Sequence, residues 1–378
     1  MLMVLRTRTI QDVAQPEAPA VPSDRITDAI TSMMRRGRVP GLSIAVVDRD
    51  RLLFAGGYGR ADLAAERPAT ARTAYLWFSM TKIVTATAAL RLADEGRLDL
   101  DAPVGEYVDY LRAAGTPQPS VKQLLSHTAG LGSPLPIRWV HPARSVPPDP
   151  EALLRRLMAS RRIFRYPVGE RARYSNVGYL AVGQVISVAA GMPFTTYVDQ
   201  AVLRPLGMSD TGFAYRAGAD AATGYVRAPR MVDPLLRRVL PPGVLGHRHG
   251  AYLSLDPFYV DGPAYGGLVG HVLDASRFVR MHLRDGELDG QRVLSARTSR
   301  QMRSIDQPGK PFDHGIGWFR RPTGRAGCWV EHFGAGAGFW NVMRLYPDRG
   351  IGVVIMSNST STYNFAPIFA LLTTESRS

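Results

Sequence analysis

The stretch Phe78-Ser79-Met80-Thr81-Lys82 holds two residue types that do chemistry together. Ser79 and Lys82 stand three residues apart at the start of a periodic run, Thr81–Glu95, that reads as a helix ended by Gly96. That spacing sets both side chains on one helix face, within reach of each other. The helix N-terminus adds backbone donors and positive potential beside the serine. A serine hydroxyl is a weak nucleophile and needs an adjacent base. Lysine serves as one when burial lowers its pKa, and Trp77, Phe78, Ile83 and Val84 supply apolar surroundings. Arginine never deprotonates in a protein, so it cannot take this role. Of the 46 Lys and Arg residues only Lys82, Lys122 and Lys310 are lysines, which makes a lysine at this spot informative. The bland alternative is a helix-starting serine with a surface lysine one turn on.

Two further short motifs follow. Tyr174-Ser175-Asn176 comes after a turn at Pro167–Glu170, and Glu331-His332-Phe333-Gly334 opens the last set of strands and runs into Ala335-Gly336-Ala337-Gly338. Each is weak alone; their order and separation carry the signal.

The elements that must hold these groups are legible at both ends of the chain. A helix begins at Ser23 as N-cap, buries Ile26, Ala29, Ile30, Met33 and Met34, and stops at Gly37. Leu42–Val47 and Leu52–Gly57 flank the turn Asp48-Arg49-Asp50 as a hairpin. Near the C-terminus, Trp329–His332, Phe339–Tyr346 and Ile351–Ser357 read as strands, the last two joined by Pro347-Asp348-Arg349-Gly350. A helix over Phe365–Thr373 follows. This pattern predicts an α+β fold with one antiparallel sheet built from both termini. Val121–Leu125, Glu151–Ser160 and Tyr179–Ala190 are further helix candidates between them. The expected organisation is a leader at 1–22, a sheet domain from 23–72 and 251–378, and a mainly helical region at 73–250 carrying both early motifs. The Pro- and Arg-rich stretches 134–150 and 227–250 read as long surface loops, of the kind that form lids or binding loops.

In this order the motifs resemble those of the beta-lactamase-related serine hydrolases: class C beta-lactamases, D-Ala-D-Ala peptidases and their esterase relatives. Those proteins carry S-x-x-K, then Y-x-N, then a K-T-G or H-x-G triplet on a strand. The likeness runs from about residue 25 onward and includes Lys122-Gln123-Leu124-Leu125-Ser126-His127-Thr128-Ala129-Gly130-Leu131. Ala222-Thr223-Gly224-Tyr225, Tyr265-Gly266-Gly267-Leu268, Gly315-Ile316-Gly317-Trp318 and Tyr346–Gly352 are similar to further landmarks. The resemblance implies a beta-lactamase/transpeptidase-like fold, an antiparallel sheet flanked by helices with an inserted mainly helical region, and a cleft between the two parts.

It also implies roles. Ser79 would attack a carbonyl and form an acyl-enzyme, with Lys82 and Tyr174 moving protons; which of the two is the main base stays open. Asn176 would orient Lys82 or an acyl amide. The backbone N–H groups of Ser79 and Ala335 would hold the oxyanion, and Gly334 would let chain and substrate approach closely. His332 stands where beta-lactamases carry Lys, and Phe333 where they carry Thr or Ser. A histidine is only partly charged near neutrality and Phe333 offers no hydrogen bond, so binding of a substrate carboxylate is weakened. The H-x-G form points to the esterase branch.

His127 reads as a structural hydrogen-bonding residue, and Trp139, Tyr252, Phe258, Tyr259, Phe339 and Trp340 as packing residues with acyl-pocket roles as the lesser alternative.

Composition sets the remaining bounds. The formal charge of +14 invites a nucleic-acid reading, yet the basic residues are dispersed arginines without a basic helix or zinc-finger spacing. No nucleic-acid partner is expected. Cys328 is the only cysteine, which excludes an internal disulfide and a multi-cysteine metal site. His247 and His249 flank Arg248 and read as loop residues. No metal or organic cofactor is implied. The first 22 residues lack a signal-peptide pattern and no run reaches a membrane span, which predicts a cytoplasmic chain. The expected activity is an esterase or amidase on small acyl esters or amides. An acyltransferase uses the same residues; a beta-lactamase or D-Ala-D-Ala peptidase, and a non-catalytic binder, rank below it.

Overall fold

Residues 23–112, 118–134, 136–159, 163–321, 329–360 and 365–374 of a computed structural model are described here, without the side chains of 23, 373 and 374. The leader 1–22, the capping hydroxyl of Ser23 and Cys328 lie outside this set.

The strands at the two ends of the chain pair as expected. The central sheet has eight antiparallel strands in the order Asp313–His314, Phe319–Arg320, Val330–Gly336, Phe339–Tyr346, Ile351–Ser357, Gly41–Val47, Leu52–Asp62 and Arg67–Pro68. Ile44 lies opposite Ile355, and Val342 opposite Ile355 on its other side. Because side chains alternate across a strand, Leu42, Ile44, Val46, Val353 and Ile355 face Ile26, Ile30, Ile368 and Phe369 of the two terminal helices. Ala45, Val47, Val354 and Met356 face the other way, into the main core. The sheet is therefore covered on both sides, and its strands Gly41–Val47 and Ile351–Ser357 are apolar on both faces.

The helix Thr81–Asp94 lies inside this main core and is buried nearly all round. A helix that is apolar on every side belongs in the interior of a large protein. Its hydroxyls are satisfied: Thr85 Oγ1 donates to Ala264 O at 2.7 Å and Thr87 Oγ1 to Ile83 O at 2.9 Å. The helix Asn176–Ala190 and the short helix Pro263–Gly266 pack against it. Among the described residues no single helix is long and apolar enough to cross a membrane.

Two expectations are corrected. The strand read as Leu52–Gly57 continues to Asp62. Its glycines hide the strand pattern, yet a Cβ at Gly57 would overlap the Ala69 backbone, so the adjoining segment demands glycine there. The stretch 227–250 is not an unstructured loop. It carries a helix, Asp233–Val239, and a strand, Leu245–His249, which joins Tyr252–Leu255 and Gly224–Arg227 in a three-stranded sheet. Pro234 starts that helix because its missing N–H falls where no partner exists anyway.

Candidate active site

Ser79 sits in a tight turn, Phe78–Met80, that leads directly into Thr81–Asp94. Phe78 holds φ at 47°, a left-handed conformation that an aromatic residue adopts only when its surroundings force it. Here Trp77 N donates to Leu268 O at 2.8 Å and Trp77 Nε1 to Gly270 O at 3.2 Å, while Thr81 Oγ1 accepts from Leu268 N at 3.2 Å. The turn is pinned from both ends, which fixes the direction of the serine.

Lys82 has no solvent exposure. Its Nζ lies 3.1 Å from Ser79 Oγ, 2.8 Å from Asn176 Oδ1 and 2.9 Å from Tyr265 O. Around it stand the rings of Tyr174, Tyr265 and Tyr179, at 4.8, 5.3 and 5.6 Å. Among the described residues no carboxylate pairs with it, and burial pushes its pKa well below that of an ordinary lysine. A neutral amine has two N–H donors and one lone pair. Asn176 Oδ1 and Tyr265 O can only accept, so they take the two donors. The lone pair is then left for the one partner able to donate, the Ser79 hydroxyl.

Tyr174 enters from the loop before Asn176–Ala190. Ser175 caps that helix, accepting from Gly178 N at 3.2 Å, and its own N–H donates to His127 Nδ1 at 3.1 Å. This is the structural hydrogen bond expected of His127, and it places the His127 proton on Nε2. The Tyr174 hydroxyl faces the Ser79 side chain, and burial raises its pKa above the usual phenol value. Its ring packs among three imidazoles: His127 at 4.6 Å, His332 at 6.1 Å and His314 at 6.3 Å. Burial holds all three well below the ordinary histidine pKa, His314 down to about 4. The phenol is thus enclosed by neutral rings.

The strand Val330–Gly336 closes the other side. Gly334 is required there, since a Cβ would fall on the Trp77 carbonyl just before the Ser79 turn. Ala335 is exposed next to Ser79 on a shared cavity wall. His332 is 1% exposed and is not among the described residues on the cavity wall. Its Nδ1–H donates to Phe333 O at 2.8 Å, and its Nε2 is buried without a partner. Phe333 points to the opposite face of the sheet and stacks on Trp340 at 5.4 Å.

A cavity of about 550 Å³ opens beside Ser79. Asn176, Tyr265, Ala335, Leu236, Val239 and Ile137 are among its walls, and no charged side chain lines it among the described residues. Both Arg-rich stretches contribute. Of the six aromatics considered for a pocket, Trp139 alone is on this wall. Phe258 and Phe339 pack under Phe78, Trp340 lies across the sheet, and Tyr252 donates to Arg38 O at 2.7 Å.

Three participants escaped the sequence reading. Tyr265 meets Lys82 through its carbonyl, which residue type does not reveal, although Tyr265-Gly266-Gly267-Leu268 was a visible landmark. His314 precedes the Gly315–Trp318 landmark by one residue, and only packing shows that it meets Tyr174. Phe78 gives no signal for its strained φ.

Comparison with known proteins agrees with this geometry. The Beta-lactamase family model matches residues 26–372. An uncharacterized protein of Mycobacterium tuberculosis is 31% identical over 296 residues, covering 73% of this chain and 70% of that protein. Protein flp of Staphylococcus aureus is 26% identical and covers 90% of this chain, which spans 64% of that relative's length. Among solved structures, the octameric penicillin-binding protein homologue from Pyrococcus abyssi superposes with a TM-score of 0.75 at 25% identity, over 93% of this chain and 76% of that one. EstCE1, a hydrolase with promiscuous acyltransferase activity, shares the fold with a TM-score of 0.72 at 22% identity, over 93% and 98%. A match that starts in the first described helix and ends in the last one leaves no part of this architecture unaccounted for: the chain belongs to the beta-lactamase family of serine hydrolases.

Proposed function

We propose that the protein is an esterase acting on neutral, apolar acyl esters through an acyl-enzyme on Ser79. The observation that carries this reading is the hydrogen-bond set of Lys82. Asn176 Oδ1 and Tyr265 O can only accept, so in the neutral amine they take both N–H donors and the lone pair is left for the Ser79 hydroxyl. Ser79 Oγ bonds to the carbonyl carbon while its proton passes to Lys82 Nζ. The oxyanion forms against the N–H groups of Ser79 and Ala335. The carbonyl–oxygen bond to the leaving group breaks as that oxygen takes up a proton through Tyr174, whose raised pKa keeps it a phenol at neutral pH. Water then repeats the exchange and frees the serine. Asn176 holds Lys82 in line.

The choice of ester over beta-lactam or peptide carboxylate rests on charge. His332 is buried, Phe333 faces away, and the cavity wall carries no cation. A substrate carboxylate would be desolvated there without a partner. The test is hydrolysis of p-nitrophenyl esters from acetate to octanoate, alongside a chromogenic cephalosporin, by the wild type and Ser79→Ala. Ester turnover lost in Ser79→Ala, with no cephalosporin turnover, supports the reading. Equal activity of the two proteins overturns the nucleophile, and cephalosporin turnover overturns the substrate class. Acceleration of deacylation by an added alcohol would make the chain an acyltransferase.

A further inference from the structure

The cavity mouth carries a feature that ester hydrolysis alone does not require. The helix Asp233–Val239 turns Leu236 and Val239 toward the cavity and has no buried residue. Beside them, Leu235 is 59% exposed, and Met231 on the preceding turn is 84% exposed. Ile137, from the other Arg-rich stretch, lines the cavity and is itself 44% exposed. Large apolar side chains stay this exposed for a reason more often when they cluster around an opening.

Cations surround them. Arg138, Arg230, Arg237 and Arg238 are all exposed on the same two segments. Asp233 is the one acid between 227 and 250, and Arg248 holds it through Nε at 2.7 Å. The two segments meet, since a Cβ at Gly243 would lie 3.1 Å from Arg144 and 3.3 Å from Pro142, and both line the cavity. The mouth is therefore an apolar ridge set in a field of arginines, with an uncharged cavity behind it.

The geometry points to an anionic lipid surface as the partner of this mouth. Exposed apolar side chains beside a row of arginines match the two layers of such a surface, acyl chains below and phosphates above. A second copy of the chain fits poorly, because a two-fold contact sets the same arginines against each other. Docking in this way would let an apolar ester pass from the lipid layer into the cavity without crossing water. That last step rests on the ester reading above; the docking itself does not.

The test separates the two. Ser79→Ala, which turns nothing over, is sedimented with vesicles of phosphatidylglycerol or of phosphatidylcholine at about 0.1 M salt. Binding to phosphatidylglycerol alone is expected. Arg237→Ser and Arg238→Ser should each lower the partition about fivefold. Leu235→Ser with Met231→Ser should lower it further, and these surface changes should leave the unfolding midpoint in place. Absence of phosphatidylglycerol binding, equal binding of both lipids, or variants that bind like the parent overturn the proposal. So does a dimer in the parent that these same variants dissolve, which would assign the patch to a second copy.

Discussion

Lys82 Nζ lies 2.8 Å from Asn176 Oδ1, a contact between residues 94 positions apart that joins the first two motifs into one hydrogen-bonded unit. The amine at its centre has no ionic partner among the described residues. Its proton balance consequently controls both chemistry and stability.

Replacing Lys82 by Met keeps the volume and removes the base. Turnover should fall by about 10²- to 10⁴-fold. The stability readout is sharper. The lysine pKa is lowered in the folded state, so the unfolded chain binds more protons at any pH between the two values. Wild-type stability must therefore rise with pH up to the ordinary lysine range near pH 10.4. Lys82→Met lacks this slope. Unfolding midpoints measured from pH 6 to 10 should show the variant losing ground to the wild type as pH rises. Parallel curves would mean that Lys82 stays charged when buried.

The three imidazoles around Tyr174 predict acid sensitivity. Each has a folded pKa below its unfolded value, so stability is present above the ordinary histidine pKa and lost as pH falls toward the folded one. For His314 the window runs from about pH 6.5 to about 4, and full titration there removes about 3 kcal/mol. His314→Phe should flatten part of that loss in urea unfolding at pH 4.5. If it acts on Tyr174, its kcat should also fall while KM holds.

Restoring the beta-lactamase cation should fail. In His332→Lys the ammonium would enter a site with 1% exposure, near Lys82 and against Phe319. We expect a destabilisation of at least about 2 kcal/mol and no gain of cephalosporin turnover. A stable variant that hydrolyses the cephalosporin would show that the strand can turn this position into the cleft.

The uncharged cavity predicts chain-length preference. Each buried methylene contributes about 0.8 kcal/mol, so kcat/KM should rise up to about fourfold per carbon until the cavity fills. Val239→Phe projects a ring from the mouth helix into that space. It should lower the octanoate-to-acetate ratio of kcat/KM by about tenfold. An unchanged ratio would place the acyl chain elsewhere.

The motif residues and the terminal strands were legible because type and spacing encode them. The roles proposed for Ser79, Lys82, Tyr174 and Asn176 depend on their side-chain types, and Phe339–Tyr346 and Ile351–Ser357 alternate and turn as strands do. The third Lys82 contact was hidden because any residue supplies a carbonyl. His332 read as a wall residue from its place in the triplet, but whether a strand position is open depends on Phe319 and Tyr174, which arrive from elsewhere. The helix at Asp233–Val239 lacks the periodicity of a core helix because its inner face meets a cavity instead of side chains.

The order of strands in the sheet has a consequence for synthesis. Gly41–Val47, made early, waits for Ile351–Ser357 as its neighbour, some 300 residues later. The strand with Ala335 is likewise braced through Phe339–Tyr346 by that same late segment. A ribosome-bound chain therefore holds Ser79 and Lys82 long before the wall opposite them can form. The proposed nucleophile and the wall that faces it meet only once the last strands of the sheet have paired.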